Sequence, residues 1–129
     1  MGTSQYMQKA MLDWVLGGAS PTRPTAWYMG LAIGAPSSTS ASEATAAGYA
    51  RQTFSALAAG TPATSGTTMN SNAIIFTFSA AQTIRGFTIW DAVSGGNMLR
   101  FGALSAASSV MASGDTLSFA ASSVILKMV

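Results

Sequence analysis

The sequence predicts an all-β protein, an antiparallel β-sandwich of jelly-roll-like type that is preceded by a short N-terminal amphipathic helix. Three observations predict it. Apolar residues recur at three- and four-residue spacing only within residues 1–18. From residue 25 onward they alternate in short runs, separated at roughly ten-residue intervals by Gly, Ser, Asn and Pro clusters. The length of 129 residues fits one domain. We therefore expect a single domain over 1–129, with the sandwich over 25–129.

The N-terminal helix is predicted from its cap, its apolar spacing and its end. Thr3 or Ser4 can cap the helix, and Gly17 with Gly18 can end it. The apolar stripe consists of Met7, Ala10, Met11, Trp14 and Val15. Such a helix presents one face for burial, either against its own domain or against a partner.

The chain after the helix changes to strand spacing. In "WYMGLAI", Trp27, Met29, Leu31 and Ile33 alternate on one face. Residues 34–48 are rich in Ser, Thr and Ala and predict a long surface loop. In "NAIIFTFS", the pattern of Ile74, Phe76 and Phe78 is typical of a core strand. In all, the pattern predicts about seven or eight strands.

The stretch "FTIWDAVSGGNMLRFGAL", Phe87 to Leu104, contains glycines that suit either a ligand loop or a turn. A phosphate-binding loop needs a helix after its glycines, but "MLRFGAL" alternates like a strand. Gly95, Gly96 and Asn97 also accept the positive φ of hairpin turns. We therefore predict a β-hairpin. Its core residues would be Phe87, Ile89, Leu99 and Phe101, and a charge at Phe101 would prevent folding or assembly.

The residue types argue against an enzyme and against a bound cofactor or metal. The chain has no cysteine and no histidine, so thiolate nucleophiles, histidine bases and the usual zinc sites are excluded. Asp91 and Asp115 are the only carboxylates of the later strand region, and each lies where a turn is expected. The eight methionines are dispersed, which favours packing over metal binding.

The charge pattern predicts neither a nucleic-acid nor a membrane partner. Six cations are scattered against four acids, and no segment has the composition of a membrane span or a secretion signal. Arg51, Arg85 and Arg100 are expected to make surface or intersubunit hydrogen bonds. With only 8% charged residues and 49% hydrophobic ones, the chain is typical of a protein whose faces are covered by neighbours.

Several motifs in order resemble a known family. "GYARQTF", "NSNAIIFTF", "FTIWDAVSGGNMLRFGAL" and "SGDTLSFAASSVIL" resemble small tailed-bacteriophage and prophage virion proteins, often labelled tail fibre protein. The resemblance runs over nearly the whole chain. It implies a β-sandwich-like virion component without catalytic activity. A compact sandwich of this size is also similar to capsid cement and decoration proteins.

We therefore predict a bacteriophage virion structural protein, a capsid cement or decoration protein on the capsid surface. It would bind the major capsid protein and itself, as a homodimer or homotrimer, and stabilise the shell by burying apolar area. The predicted contact residues are Met7, Met11, Trp14, Tyr28 and Tyr49, with ordinary core packing as the alternative role for them.

The alternative function is a tail or tail-fibre module that binds a host surface glycan or receptor. Trp27, Trp90 or Tyr49 would then stack on sugar rings, beside hydrogen bonds from Asn, Asp and Arg side chains. Copy number separates the two functions, because a cement protein covers the shell in hundreds of copies.

Overall fold

The computed structural model describes residues 2–19, 22, 24–45, 48–55, 67–104, 109–111, 113–121 and 123–127. In these residues the chain forms one short strand, then one helix, then a series of short strands. Every strand pair is antiparallel. The predicted fold class, antiparallel all-β with one N-terminal helix, is therefore confirmed.

Helix α1 spans Gln5–Val15. The strands are β1 Gly2–Thr3, β2 Tyr28–Ala32, β3 Gln52–Thr53, β4 Thr67–Met69, β5 Ile74–Thr77, β6 Gln82–Ile84, β7 Gly86–Trp90, β8 Met98–Ala103, β9 Ser109–Met111, β10 Thr116–Phe119 and β11 Ile125–Lys127. The described residues contain more strands than predicted. One reason is that "TIRGFTIWD" forms two strands, since β6 pairs with β9 whereas β7 pairs with β2 and β8.

Five strands form the main sheet in the order β1-β8-β7-β2-β3. The other strands pair two by two, as β10 with β5, β11 with β4 and β6 with β9. Strand β7 lies at the centre of the main sheet, where Phe87 pairs with Leu31 and Ile89 pairs with Met29. These pairings are compatible with jelly-roll connectivity but do not define it.

The hydrophobic core joins the main sheet to the smaller strand pairs. Its buried members are Met29, Leu31, Ala44, Phe54, Ile74, Phe76, Phe78, Ile84, Phe87, Ile89 and Val124. The predicted alternation holds on β5, where Ile74 and Phe76 are buried and Ile75 is exposed. It fails on β7, where Gly86 through Ile89 are all buried, because both faces of this central strand are covered.

Helix α1 begins at the predicted cap. The Ser4 hydroxyl accepts a hydrogen bond from the Met7 amide at 3.2 Å, and the Ser4 amide donates to the Leu99 carbonyl of β8 at 3.0 Å. The helix packs against β8, yet none of its residues is buried. The stripe is covered only over its first half, where Met7 and Met11 are half-buried.

The hairpin residues do not all lie in the core as expected. Phe87 and Ile89 are core residues and Leu99 is buried, but Phe101 is only half-buried and lies outside the core cluster. Phe101 pairs with Gly2 across β1 and β8, and its ring occupies the space that a side chain at position 2 would need. The expectation for Phe101 is therefore wrong, because its ring covers β1.

Phe101→Asp is accordingly expected to detach β1 while the core persists. Loss of the ring removes the cover of Gly2, and a carboxylate there is poorly solvated, so we expect about 1–3 kcal/mol of destabilisation. Hydrogen exchange at the Thr3 and Ser4 amides should accelerate. Ala103→Asp puts the same charge at an exposed position of β8 and is the control. Equal acceleration in both variants would contradict the role given to the Phe101 ring.

Candidate functional site

The most elaborate polar arrangement in the described residues surrounds Arg51, just before β3. Its side chain is only 6% exposed. The guanidinium donates from Nε to Glu43 Oε2 at 2.7 Å and from Nη2 to Glu43 Oε1 at 2.9 Å. This bidentate ion pair engages both carboxylate oxygens, and it is the strongest arrangement of an arginine with a carboxylate. We call Arg51, Glu43, Tyr49 and Trp90 the Arg51 cluster.

The remaining contacts of Arg51 go to the hairpin between β7 and β8. Nη1 donates to the carbonyl oxygens of Ala92 at 2.9 Å and Gly95 at 2.7 Å. The guanidinium carbon lies 3.6 Å from the centroid of a Trp90 ring, in cation–π geometry. One buried side chain thus connects residue 43, residue 51 and the hairpin loop. Arg51 makes intramolecular bonds here, whereas surface or intersubunit bonds were expected.

The hairpin loop is closed by its own residues as well. The Asp91 carboxylate accepts from the Asn97 amide at 2.7 Å and from Asn97 Nδ2 at 3.0 Å. Gly95 and Gly96 have φ values of 63° and 69°, the left-handed region that favours glycine. A strand, β8, follows the loop. The predictions of a hairpin turn and of a turn role for Asp91 are confirmed.

Tyr49 completes the Arg51 cluster. Its hydroxyl donates to Glu43 Oε2 at 2.7 Å and accepts from the Leu31 amide at 3.1 Å. Its ring stacks on Phe76 and Phe78, with centroids 6.2 and 6.4 Å away. Tyr49 is therefore half-buried and engaged inside its own chain, whereas the sequence suggested an exposed contact residue.

The end of the Ser/Thr/Ala-rich segment positions Glu43. The Ile33 amide donates to the Ser42 carbonyl, the Ala44 amide donates to the Leu31 carbonyl, and Glu43 forms a β-bridge with Ala32. Ala44 is a core residue. The segment therefore departs from the expected surface loop at residues 42–44, because its backbone completes the edge of β2. Nothing is described for residues 46–47 of the predicted loop.

Burial by itself would raise the pKa of the Glu43 carboxyl. The hydrogen bonds from Arg51 and Tyr49 and the positive charge of Arg51 outweigh that effect, so this pKa lies below its ordinary value of 4.5. Burial, followed by the hydrogen bond to Glu43, raises the pKa of the Tyr49 hydroxyl. At neutral pH, Glu43 is therefore ionised and Tyr49 is a neutral phenol within the Arg51 cluster.

The lowered pKa of Glu43 predicts acid sensitivity. A carboxyl whose pKa is lower in the folded state contributes stability above its unfolded pKa and loses it as the pH falls through the folded value. The Tm of the native chain should therefore decrease as the pH is lowered below about 4.5. Glu43→Gln should lower Tm at pH 7. In thermal unfolding measured at a series of pH values from 7 to 2, it should also show a smaller decrease of Tm at acidic pH, which we call the acid limb. Asp13→Asn, in the surface ion pair with Lys9, should keep the limb. An unchanged limb in Glu43→Gln would contradict the assignment.

A family model matches residues 2–127 and is described as podophage GP4 fiber I protein gp80. The chain belongs to this family. The gp80 family is a phage fibre family, so the chain is a structural protein of a bacteriophage virion, as the resemblance implied. No protein with a curated description matches the chain.

In this gp80-family chain the predicted contact residues have different surroundings. Met7 and Met11 are half-buried, Trp14 is 67% exposed, and Tyr28 is half-buried beside Trp90 in the main sheet. Met7, Met11 and Trp14 lie on α1, whereas Tyr28 lies on β2. Their roles as contacts to a partner stay predictions.

The aromatic residues proposed for sugar stacking are also engaged internally. Trp27 packs against the core, and Trp90 carries Arg51 on its ring while its Nε1 donates to Thr88 Oγ1 at 2.7 Å. The arrangement in the gp80-family chain therefore uses these rings for internal structure. The described residues contain no group of three or more acidic, His or Cys side chains that could hold a metal ion. Among them, too, no helix has the length and apolar character that a membrane crossing needs.

Sequence reasoning missed the pairing of Glu43 with Arg51. Two signals were present, since "GYARQ" stood out as a motif and Glu43 is the only charged residue of a long neutral segment. An arginine and a carboxylate eight residues apart can form a bidentate ion pair when the chain between them turns back. The motif and the acid together would have suggested an ion pair.

Proposed function

We propose that the chain is a non-enzymatic structural module of a phage tail fibre. The observation that carries the proposal is the family match over residues 2–127, whose description names a fibre protein. Of the two locations predicted from the sequence, this supports the tail. The capsid-cement function, with the major capsid protein as partner, has no comparable support.

The geometry is compatible with a load-bearing module. Arg51 fastens the hairpin loop to the main sheet through two carbonyl bonds and an ion pair, in a chain that has no disulfide. Buried, bidentate contacts of this kind hold one conformation without a metal or a covalent link. Such a module supports a fibre by keeping its shape. The proposal that it has no catalytic role rests on the absence of histidine and cysteine from the sequence.

Particle location tests the proposal. Antibodies against the purified chain would be used for immunogold labelling of intact phage, of separated tails and of emptied shells. Mass spectrometry of the same fractions would give the copy number relative to the major capsid protein. We expect gold at the tail and a low copy number. Gold over the whole shell, with copy numbers near that of the capsid protein, would overturn the tail-fibre proposal and support the cement function.

A separate experiment tests the alternative function, binding of a host glycan. A glycan array with the purified chain would support receptor binding if a hit were lost in Trp27→Ala and retained in Val93→Ala. Val93 lies at the exposed hairpin tip and serves as a matched apolar control. Without such a hit, glycan binding loses its support as the alternative function.

A further inference from the structure

Residues 34–43, which we call the strap, run from β2 to the first turn of α1 and back. The Ile33 amide donates to the Ser42 carbonyl at 2.9 Å, so the strap leaves β2 and rejoins it at the same point. At its far end the Ser38 carbonyl accepts from the Gln5 amide at 2.9 Å. Gln5 is the first residue of α1. A backbone hydrogen bond therefore ties the strap to the helix.

The last residue of the strap is bonded to the hairpin between β7 and β8 through Arg51. This residue is Glu43, and both of its carboxylate oxygens accept from Arg51. Nη1 of Arg51 in turn donates to the carbonyls of Ala92 and Gly95 in the hairpin loop. The first turn of α1 and the hairpin loop, where Val93 is 57% exposed, are thus joined by a continuous set of bonded groups.

Ser42 lies between these two attachments and has a strained backbone. Its φ of 48° falls in the left-handed region. A residue with a Cβ adopts this conformation at a cost in free energy, and it keeps the conformation only where its surroundings hold it. Here the bond to Gln5 holds the strap on one side and the ion pair of Glu43 holds it on the other. Ser42 thus has two backbone states, the left-handed one in the structure and the extended one that it adopts when released.

We infer that the strap couples the docking of α1 to the conformation of the hairpin loop. While α1 is docked, the Gln5 amide holds the strap and Ser42 stays left-handed, which keeps Glu43 within reach of Arg51. When α1 is displaced, the strap loses this bond and Ser42 relaxes. The Glu43 carboxylate then moves away from the guanidinium, and the hairpin carbonyls are released. Two sites that bias the same two-state element influence each other in both directions, so loosening the hairpin also loosens the first turn of the helix.

Replacing Gln5 by proline tests the coupling, because it removes the bond to the strap and keeps the helix. Proline is favoured at the first helical position, where the amide has no acceptor within the helix. The preceding Ser4 has φ −64° and ψ 157°, the extended conformation that a following proline requires. The amides of Asp91 and Asn97 close the hairpin loop. Their hydrogen exchange should accelerate at least about fivefold in Gln5→Pro, the lower end for a coupling between two sites.

Gln5→Ala is the matched control, because it removes the side chain and keeps the amide. It should leave exchange in the hairpin unchanged. Unchanged exchange in Gln5→Pro would overturn the inference. So would an equal acceleration at the core amides of Ile74 and Phe76 in β5, because it would report a general loss of stability.

The double variant Gln5→Pro with Ser42→Gly tests the switch residue. Glycine occupies the left-handed region without strain, so the strap gains nothing by relaxing after the bond to the helix is lost. Exchange at Asp91 and Asn97 should therefore return to within about twofold of the native rate. If it stays as fast as in Gln5→Pro alone, Ser42 does not carry the coupling and the inference is wrong.

The reverse direction is measured at the Gln5 amide. Arg51→Met should accelerate its exchange, because the Ser38 carbonyl that accepts from it is released. Phe76→Ala destabilises the chain through the core and is the control for a general loss of stability. Under native conditions the Gln5 amide should exchange at least about fivefold faster in Arg51→Met than in Phe76→Ala. Equal rates would contradict the coupling. The inference does not rest on the tail location, because these measurements use the purified chain.

Discussion

Replacing Arg51 by methionine is expected to lower the free energy of unfolding by about 3 kcal/mol, the typical cost of removing one partner of a buried ion pair. The substitution keeps much of the apolar stem. It removes both bonds to Glu43 and both bonds to the hairpin carbonyls. For a domain of this size Tm should fall by about 12 °C. The Glu43 carboxylate would then keep only the Tyr49 hydroxyl as its partner within the Arg51 cluster.

Two further variants separate the effect of losing the buried contacts from the effect of losing a positive charge. Arg85→Met makes the same chemical change at an exposed position and should alter Tm by only about 1 °C. Arg51→Lys keeps the charge but has no planar fork, so its Tm should lie between those of Arg51→Met and the native chain. Amide exchange from Ala92 to Asn97 should rise most in Arg51→Met. Equal Tm losses at positions 51 and 85 would contradict the role of the Arg51 cluster.

Truncating Phe76 to alanine should cost about 3–5 kcal/mol, the usual range for removing a fully buried phenylalanine. Phe76 is 0% exposed, stacks on Tyr49, and meets Phe119 edge-on with centroids 6.2 Å apart. The loss therefore combines a cavity with two broken aromatic contacts. Thermal and urea unfolding should both show it, with Tm lowered by roughly 12–20 °C.

Ile75→Ala is the control for this change. Ile75 precedes Phe76 on β5 but points to the opposite face and is 54% exposed. Its truncation should cost less than about 1 kcal/mol. Similar costs at the two positions would mean that β5 is not covered on one face, and the core assignment would be wrong.

The sequence predicted those parts of the fold that depend on neighbouring residues. The helix cap at Ser4, the alternation of Ile74 and Phe76, and the hairpin glycines Gly95 and Gly96 all act within a few positions. Periodicity and turn chemistry record such local preferences directly. For this reason the fold class and the hairpin were predicted correctly.

The Arg51 cluster could not be predicted in the same way. Arg51 is buried because Glu43 reaches it from eight residues away and the Ala92 carbonyl from 41 residues away. Periodicity contains no information on such separations, and a charged residue is usually exposed. The spacing of Met11 and Trp14 also could not show that β8 covers Met11 but leaves Trp14 exposed, because this depends on how the helix packs on the strand.

The pairing of β1 with β8 has a consequence for the order of folding. Thr3 pairs with Arg100, and their side chains are separated by 97 residues of chain. The partner of β1 therefore leaves the ribosome long after β1 itself, and contacts this distant in sequence form slowly. Through that interval helix α1 has no docking strand. Its apolar side chains, including the half-buried Met7 and Met11, therefore stay uncovered until β8 has been synthesised.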